Sequence, residues 1–427
     1  METYLRRTLE GQLQQKLRTM GAVNIRGPKW CGKSTTARQY AASVVEMQNP
    51  STRQRDAMIA RADMTGFLDR EVPFLIDEWQ EIPFVWDGIR YACDQRGKPG
   101  QFLLTGSVTP PEQVPEENEI RHSGIGRISS LVMRTMTLHE SGDSTGKVSL
   151  RKLFDEGIIP VASSERTLRD MAYLLCRGGW PGGIGLSRED ALLIPNEYYE
   201  GLVNADISRA DGVKKDPQRV ERMMRAYARH ISTQATITTI KSDMAANETD
   251  TLDEDTIRTY INALKRLYVI EDLAAWNPNI RSKTAIRTAD TRHFTDASIA
   301  CAALGIGPED LMNDPETFGL LFESMCIRDL RVYTEALNGK VYHYRDASGL
   351  EADAVLHLRD GRWAAVEIKL ENPAGIEEGA SHLRKLADRI DVSKMKKPSF
   401  LMIVTATDVA YRREDGIYVT PLSVLGP

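Results

Sequence analysis

Gly27-Pro28-Lys29-Trp30-Cys31-Gly32-Lys33-Ser34 forms a complete G-x-x-x-x-G-K-[ST] phosphate-binding loop. Ala22, Val23 and Ile25 in front of it suit a buried strand over 21–26, and the residues behind it predict a helix over 33–47. With ordinary residue frequencies the pattern arises by chance in on the order of one chain per hundred of this length, and the strand and helix flanks lower that further. Gly27 and Gly32 let the backbone turn its N–H groups toward a phosphate chain, and the N-terminus of the following helix adds a positive dipole end. Lys33 is the expected contact for the β- and γ-phosphates, and the Ser34 hydroxyl the expected Mg²⁺ ligand. Pro28, Lys29, Trp30, Cys31 and Thr35 complete the expected nucleotide-binding stretch.

A second apolar run, Val72-Pro73-Phe74-Leu75-Ile76, ends in the adjacent acids Asp77 and Glu78. A strand ending in acids behind such a loop has the form of a Walker B segment. Asp77 then holds the metal shell and Glu78 orients or activates the attacking water. Gln101-Phe102-Leu103-Leu104-Thr105-Gly106-Ser107 reads as a further core strand with a small polar end, where Thr105 or Ser107 senses the γ-phosphate or simply closes a turn. These strands, at 21–26, 72–76 and 101–105, alternate with helical stretches at 33–47 and 84–94. The alternation predicts an α/β parallel sheet of the P-loop NTPase kind, with helices on both faces. Arg127 follows the sensor strand in a glycine-flanked segment. It is expected either to reach the γ-phosphate of its own or a neighbouring site, or to form a surface salt bridge. Action on a neighbouring site would require a homo-oligomer.

At 427 residues the chain is too long for one ordinary domain. Its 41% hydrophobic and 27% charged content belongs to a globular protein with real cores. The net charge of −5 argues against nonspecific polyanion binding by the whole surface but not by a local basic face. Five scattered cysteines with no C-x-x-C pair read as reduced thiols without a zinc site. No signal-like leader and no apolar run of membrane-spanning length is present, so no membrane partner and a cytoplasmic location are expected. Pro110–Glu119 is a proline- and acid-rich loop, and Arg177–Gly183 a glycine-dense turn around Trp180, either a lid-like closure or a structural turn.

From 215 to 275 the pattern changes to three helices, at 219–230, 236–245 and 253–267, followed by a hairpin strand over 268–273. Three helices and a ribbon suggest a winged helix-turn-helix. In the third helix Ile257, Ile261 and Leu264 form the inner stripe, leaving Arg258, Lys265 and Arg266 outside. Arg281, Lys283, Arg287, Arg292 and His293 follow as a basic cluster able to track a DNA backbone. Packing between domains is the competing role.

The C-terminal part predicts a long amphipathic helix over 316–334 and strands over 340–345, 351–358 and 362–370. Asp353 on one strand, Glu367-Ile368-Lys369 ending the next, and Glu323 on the helix reproduce the D…[DE]-x-K arrangement of restriction-endonuclease-like α/β folds. There Asp353 and Glu367 share Mg²⁺, and Lys369 polarises the attacking water. A salt-bridged surface is the plain alternative, and Glu323 equally suits a solvated or capping role.

Together these motifs resemble those of bacterial and archaeal AAA-type ATPases that carry a C-terminal domain similar to the PD-(D/E)xK nuclease superfamily. The resemblance covers nearly the whole chain. It rests on Gly27–Thr35, Ile76-Asp77-Glu78-Trp79-Gln80, Leu104–Ser107, Gly179-Trp180-Pro181, Gly349–Asp353 and Val366–Lys369. It implies ATP binding and hydrolysis with Mg²⁺, a winged-helix middle domain and a nuclease-like C-terminal fold. The proline usual before the first acid is replaced by Ala352. The expected division is 1–205 for the ATPase domain with a helical lid, 206–300 for the winged helix and basic connector, and 301–427 for the nuclease-like domain. Two functions follow: an ATPase that drives or licenses metal-dependent DNA cleavage, or a nucleotide switch whose inactive nuclease fold binds DNA or a protein.

Overall fold

The computed structural model describes residues 4–109, 120, 122–210, 212–213, 215–245, 253–278, 289–370, 373–406 and 409–427. The chain forms two compact units. The first is Met1–Thr135 with Ala205–Lys215 and Asn262–Val269; the second is Met136–Asn204 with Asp216–Ile261 and Ile270–Pro427.

The first unit is built on five parallel strands: β1 (Ala22–Arg26), β2 (Ser43–Glu46), β3 (Phe74–Asp77), β4 (Phe102–Gly106) and β5 (Ile128–Val132), in the order β2-β3-β4-β1-β5. Both faces of the sheet are buried. Phe74, Ile76, Phe102 and Leu104 pack on one side with Trp79, Val85 and Ile89, while Leu75, Leu103, Val23 and Ile25 pack on the other with Leu13 and Ala37. Continuous apolar runs are what a parallel sheet covered on both faces demands. The helix expected over 33–47 ends at Arg38, because Ser43-Val44-Val45-Glu46 forms β2 instead. Its two valines favour a strand, and its pairing with β3 satisfies the backbone.

The second unit contains β6 (Val148–Ser149), β7 (Ala162–Ser163), β8 (Gly339–Arg345), β9 (Glu351–Leu358), β10 (Trp363–Lys369), β11 (Leu401–Thr405), β12 (Val409–Arg412), β13 (Tyr418–Pro421) and β14 (Leu425–Gly426). The main sheet runs β7-β12-β13-β11-β10-β9-β8, and β14 pairs with β6. Residues 136–204, expected to belong to the ATPase domain, therefore fold with the C-terminal segments. The pairings of β7 with β12 and of β6 with β14 tie them there. The helix Pro315–Ala336 packs on β8, β9 and β10, and the helix Pro373–Arg389 packs on β9, β10 and β11. Leu383 and Leu386 of the latter meet Trp363, Ala365, Ile403 and Val419 in the core.

The expected helices are present as Pro217–Arg229, Ile237–Ala245 and Glu254–Arg266, with Ile257, Ile261 and Leu264 buried and Arg258 and Lys265 exposed. In place of a strand over 268–273 the described residues make only isolated antiparallel bridges, Ile270 to Phe294 and Leu273 to Thr291. The basic cluster is also altered. Arg292 Nη1 lies 2.8 Å from Asp272 Oδ2, and His293 is fully buried, so neither offers a free cation to a phosphate. Arg281, Lys283 and Arg287, like the loop 110–119, lie outside the described residues.

The glycine-dense turn is a core element of the second unit. Gly179 N–H donates to Asp296 Oδ2 at 2.9 Å, and the buried Trp180 indole donates to Ser298 Oγ at 3.0 Å. Arg328 lies 3.0 Å from the same Asp296 Oδ2 and 2.8 Å from Asp329 Oδ1. The segment is thereby held by a buried ion network, as a structural turn would be. Among the described residues no helix is long and apolar enough to cross a membrane.

Candidate functional site

In the first unit, β1, β3 and β4 run parallel, so their C-terminal ends gather the phosphate loop, the two acids and the polar end of β4. The insertion of β4 between β1 and β3 decides the chemistry. It sets Thr105 opposite Ile25 on one side and beside the end of β3 on the other. The loop backbone needs its first glycine. Gly27 has φ 156°, and a Cβ there would stand 2.0 Å from the Met133 carbonyl oxygen. Gly32, with φ 97°, opens the helix Lys33–Arg38 in the left-handed region.

Lys33 is buried, and its Nζ donates to the Pro28 carbonyl across the loop at 2.8 Å. Ser34 Oγ donates to Asp77 Oδ1 at 2.6 Å, and Thr105 Oγ1 donates to the same oxygen. The Glu78 carboxylate is held by Ser107 Oγ at 2.7 Å and by the Gln80 amide, while its backbone N–H donates to Thr105 Oγ1 at 3.0 Å. Glu78 itself adopts φ 58°, a left-handed conformation that a non-glycine residue keeps only where the surroundings enforce it. Six side chains from three segments thus form one connected polar group. Gln80 is the member that sequence reading did not single out; its position two residues past Glu78, on the turn leaving β3, was the available signal.

Around this group, Lys29 Nζ pairs with Asp206 Oδ1 at 2.7 Å, Trp30 is exposed at the loop tip, and Thr35 is exposed on the helix. Cys31 is buried with its Sγ 3.3 Å from the Met133 carbonyl oxygen. Arg127 is placed away from the loop. It precedes β5, its carbonyl accepts from Ala22 N–H at the start of β1, and its Nε lies 2.6 Å from Asp94 Oδ1. The loop leaves the other end of β1, about 16 Å away at the usual rise per residue. Arg127 therefore takes the surface salt bridge and does not reach the phosphates of its own loop. The arginine at the loop end of β5 is Arg134, which is buried.

The second unit brings together the other expected cluster. In the antiparallel pair β9–β10, Val366 stands opposite Ala354, and the next step along sets Glu367 beside Asp353. Asp353 Oδ2 accepts the Ile368 N–H at 2.6 Å, and Lys369 Nζ lies 2.9 Å from Glu367 Oε2. Glu367 is only 1% exposed. Burial pushes the Glu367 carboxyl well above the usual carboxylate range, and the Asp353 charge adds to it. Glu323 moves the same way, from burial first and then from Asp353. Asp353 is raised by burial against the opposing pull of Lys369. Burial acts against the Lys369 charge, yet Asp353 and Glu367 outweigh it and raise this lysine. The acids are thus mutually destabilised, and one internal cation relieves them.

His382, absent from the sequence-derived site, joins this cluster from the helix Pro373–Arg389, with Nδ1 3.7 Å from Glu367 Oε1. Gly379, one turn earlier on the same helix face, lets the helix close on the acid; a Cβ there would sit 3.3 Å from the Glu367 Cβ. Among the described residues no group of three or more His, Cys, Asp or Glu side chains stands in a metal-holding arrangement. Glu367 Oε1 and His382 Nδ1 are nevertheless both buried atoms without a hydrogen-bond partner. Two adjacent ligand atoms without hydrogen-bond partners suit a shared cation.

Sheet order, phosphate loop and acid-ended neighbour give the first unit the arrangement of a P-loop nucleotide-binding domain. Residues 20–141 match a family described as AAA domain. Residues 168–310 and 318–425 match two domains of unknown function, DUF8612 and DUF4143. Uncharacterized proteins of Mycobacterium tuberculosis and Mycobacterium bovis are each 23% identical over 370 residues, covering 85% of this chain and 74% of theirs. Among solved structures, the Walker-type ATPase PABY2304 of Pyrococcus abyssi aligns at TM-score 0.44 and 14% identity, over 71% of this chain and 97% of its own. The ORC2 protein of Aeropyrum pernix aligns at TM-score 0.31 and 12% identity, over 64% and 90%.

Proposed function

We propose that the protein is a Mg²⁺-dependent ATPase whose nucleotide state controls a nuclease-like C-terminal site acting on DNA. The observation that carries the ATPase part is the connected group Ser34, Asp77, Glu78, Gln80, Thr105 and Ser107 beside Lys33. Nucleotide binding alone would not require the second acid, held in a strained backbone conformation next to a sensor hydroxyl. With ATP bound, the Lys33 ammonium exchanges the Pro28 carbonyl for β- and γ-phosphate oxygens. Ser34 and Asp77, already 2.6 Å apart, offer the oxygen donors that Mg²⁺ prefers. The ion would neutralise charge on the phosphates. Glu78, aimed by Ser107 and Gln80, orients the water, and Thr105 links that acid's backbone to the Asp77 carboxylate.

At the C-terminal site, Asp353, Glu367 and the Ile368 carbonyl are the groups to hold a divalent cation, with Lys369 polarising water. Such an ion would lower the pKa of a bound water and stabilise charge on a phosphodiester. The helices Pro217–Arg229, Ile237–Ala245 and Glu254–Arg266, with Arg258 and Lys265 outward, support a winged-helix-like DNA contact.

A switch with an inactive nuclease fold, binding DNA or a protein, is the second reading. The direct Lys369–Glu367 pair favours it, since that cation already satisfies one carboxylate oxygen. One experiment separates the two. Purified protein is incubated with plasmid DNA, ATP and Mg²⁺ or Mn²⁺, alongside Lys33→Ala, Glu367→Ala and Lys369→Ala. The nuclease reading expects nicking that both C-terminal variants abolish. DNA retention without nicking, unchanged in those variants, supports the switch. Absence of both DNA retention and cleavage overturns the DNA part altogether.

A further inference from the structure

We infer that His382 is a cation ligand of the C-terminal site, and that it makes this site select a divalent transition ion such as Mn²⁺, Co²⁺ or Zn²⁺ over Mg²⁺. The inference rests on the cation-dependent reading of that site and goes beyond it by adding a donor and naming the class of ion. Glu367 is 1% exposed, and while its Oε2 is taken by Lys369, its Oε1 has no hydrogen-bond partner. The nearest donor atom assigned to it is His382 Nδ1, likewise orphaned, at 3.7 Å.

That separation is too long for a hydrogen bond. It is the span of two ligands that share one ion at about 2.1 Å each with an angle of roughly 120° between them. The ring belongs to a partly exposed side chain, 27% accessible, so an ion can enter from solvent. Gly379 supplies the close helix approach that the arrangement needs, and the charges of Asp353 and Glu323 add a negative field around the same point. No three His, Cys, Asp or Glu side chains stand as a ready-made cage among the described residues, so the positions that Glu367, His382 and the Asp353 carboxylate do not fill fall to water or to phosphodiester oxygens. Imidazole nitrogen binds Zn²⁺ and Co²⁺ readily and Mn²⁺ more weakly, whereas Mg²⁺ prefers oxygen and keeps its waters.

The test uses the full chain, metal-free and without nucleotide, so that the site in the first unit is not filled. Mn²⁺ binding is followed by electron paramagnetic resonance, and pulsed measurements read nitrogen hyperfine coupling to the bound ion. The wild type is expected to bind Mn²⁺ with imidazole coupling. His382→Ala should lose that coupling and weaken Mn²⁺ about tenfold or more, while Mg²⁺ competition shifts less than about twofold. His382→Gln, which keeps most of the side-chain volume, replaces it if the alanine variant fails to fold. Glu367→Ala should abolish binding. If binding depends on Glu367 but coupling and affinity survive in the His382 variants, the inference is overturned and the cation site stands. If the wild type binds no Mn²⁺, or Glu367→Ala leaves binding intact, the cation reading itself fails.

Discussion

The two acid centres of this molecule solve the same problem in opposite ways. Asp77 and Glu78 are steadied chiefly by neutral donors, the hydroxyls of Ser34, Thr105 and Ser107 and the Gln80 amide, with the half-exposed Arg38 guanidinium 4.0 Å from Asp77 Oδ2. Asp353, Glu367 and Glu323 are pushed together under burial, and their charge is relieved by the Lys369 ammonium. Neutral donors and one long, solvent-screened ion pair leave a site that accepts a cation and a phosphate chain at little electrostatic cost. A site closed by its own lysine must trade that cation against an incoming one, which makes its occupancy conditional.

The largest expected effects break the first centre. Lys33→Ala should abolish nucleotide binding and with it phosphate release, checked by fluorescent-nucleotide titration. Glu78→Gln should retain binding but lower turnover by about a hundredfold or more, since the amide cannot accept the water's proton; binding and turnover falling together would deny Glu78 its separate role. In the second centre, Lys369→Met leaves Glu367 buried without its cation. The cost should be about 2 kcal/mol in denaturant unfolding, below that of a fully buried pair because the Lys369 side chain is 28% exposed. Glu367→Gln should cost less, because it removes the buried charge along with the pair.

The pH response sharpens the same contrast. Glu367 has its folded value raised above the ordinary carboxylate value, so its contribution to stability is fully present below the unfolded value and is lost as pH rises through the folded one. Thermal scans from pH 4 to pH 8 should show the wild type losing stability relative to Glu367→Gln as pH rises; a constant difference would remove the buried-charge account. The smallest effect belongs to Arg127. Its pair with Asp94 is surface-exposed, and Arg127→Ala should change stability by less than about 0.5 kcal/mol and leave ATP turnover unaltered.

How much of this was legible follows from sequence distance. The phosphate loop is eight consecutive residues, and Asp77 and Glu78 end an unbroken apolar run, so spacing alone identified them. Thr105 and Ser107 were visible only as the polar end of a strand, because which strand lies between β1 and β3 depends on sheet order. Which of the two roles open to Arg127 the chain takes was not legible for a related reason: in a parallel sheet a residue preceding its strand sits at the end away from the loop. The helix over 33–47 was overextended because Ser43-Val44-Val45-Glu46 is too short for a periodicity to declare itself. Residues 136–204 joined the second unit through two-residue strand pairings that leave no sequence signature.

At the second centre Asp353, Glu367 and Lys369 were readable from strand alternation, since Glu367 and Lys369 must share a face. His382 was not, because the phase of the helix Pro373–Arg389 against β10 is set by tertiary packing. Gly379, three residues earlier, is the one local hint of a close approach, and a single glycine in a helix says nothing about what it approaches. The buried Arg292 and His293 show the converse: a run of basic residues reads as a surface until its partners are known.

The central claim, that the first unit hydrolyses ATP through the Lys33–Asp77–Glu78 constellation, is tested most directly by phosphate release from ATP and Mg²⁺ by the full chain, wild type against Glu78→Gln, with ATP binding measured on the same samples. The account predicts steady turnover in the wild type and its loss in Glu78→Gln with binding intact. Turnover that survives in Glu78→Gln, or a wild type that binds ATP without releasing phosphate with or without DNA, would contradict it.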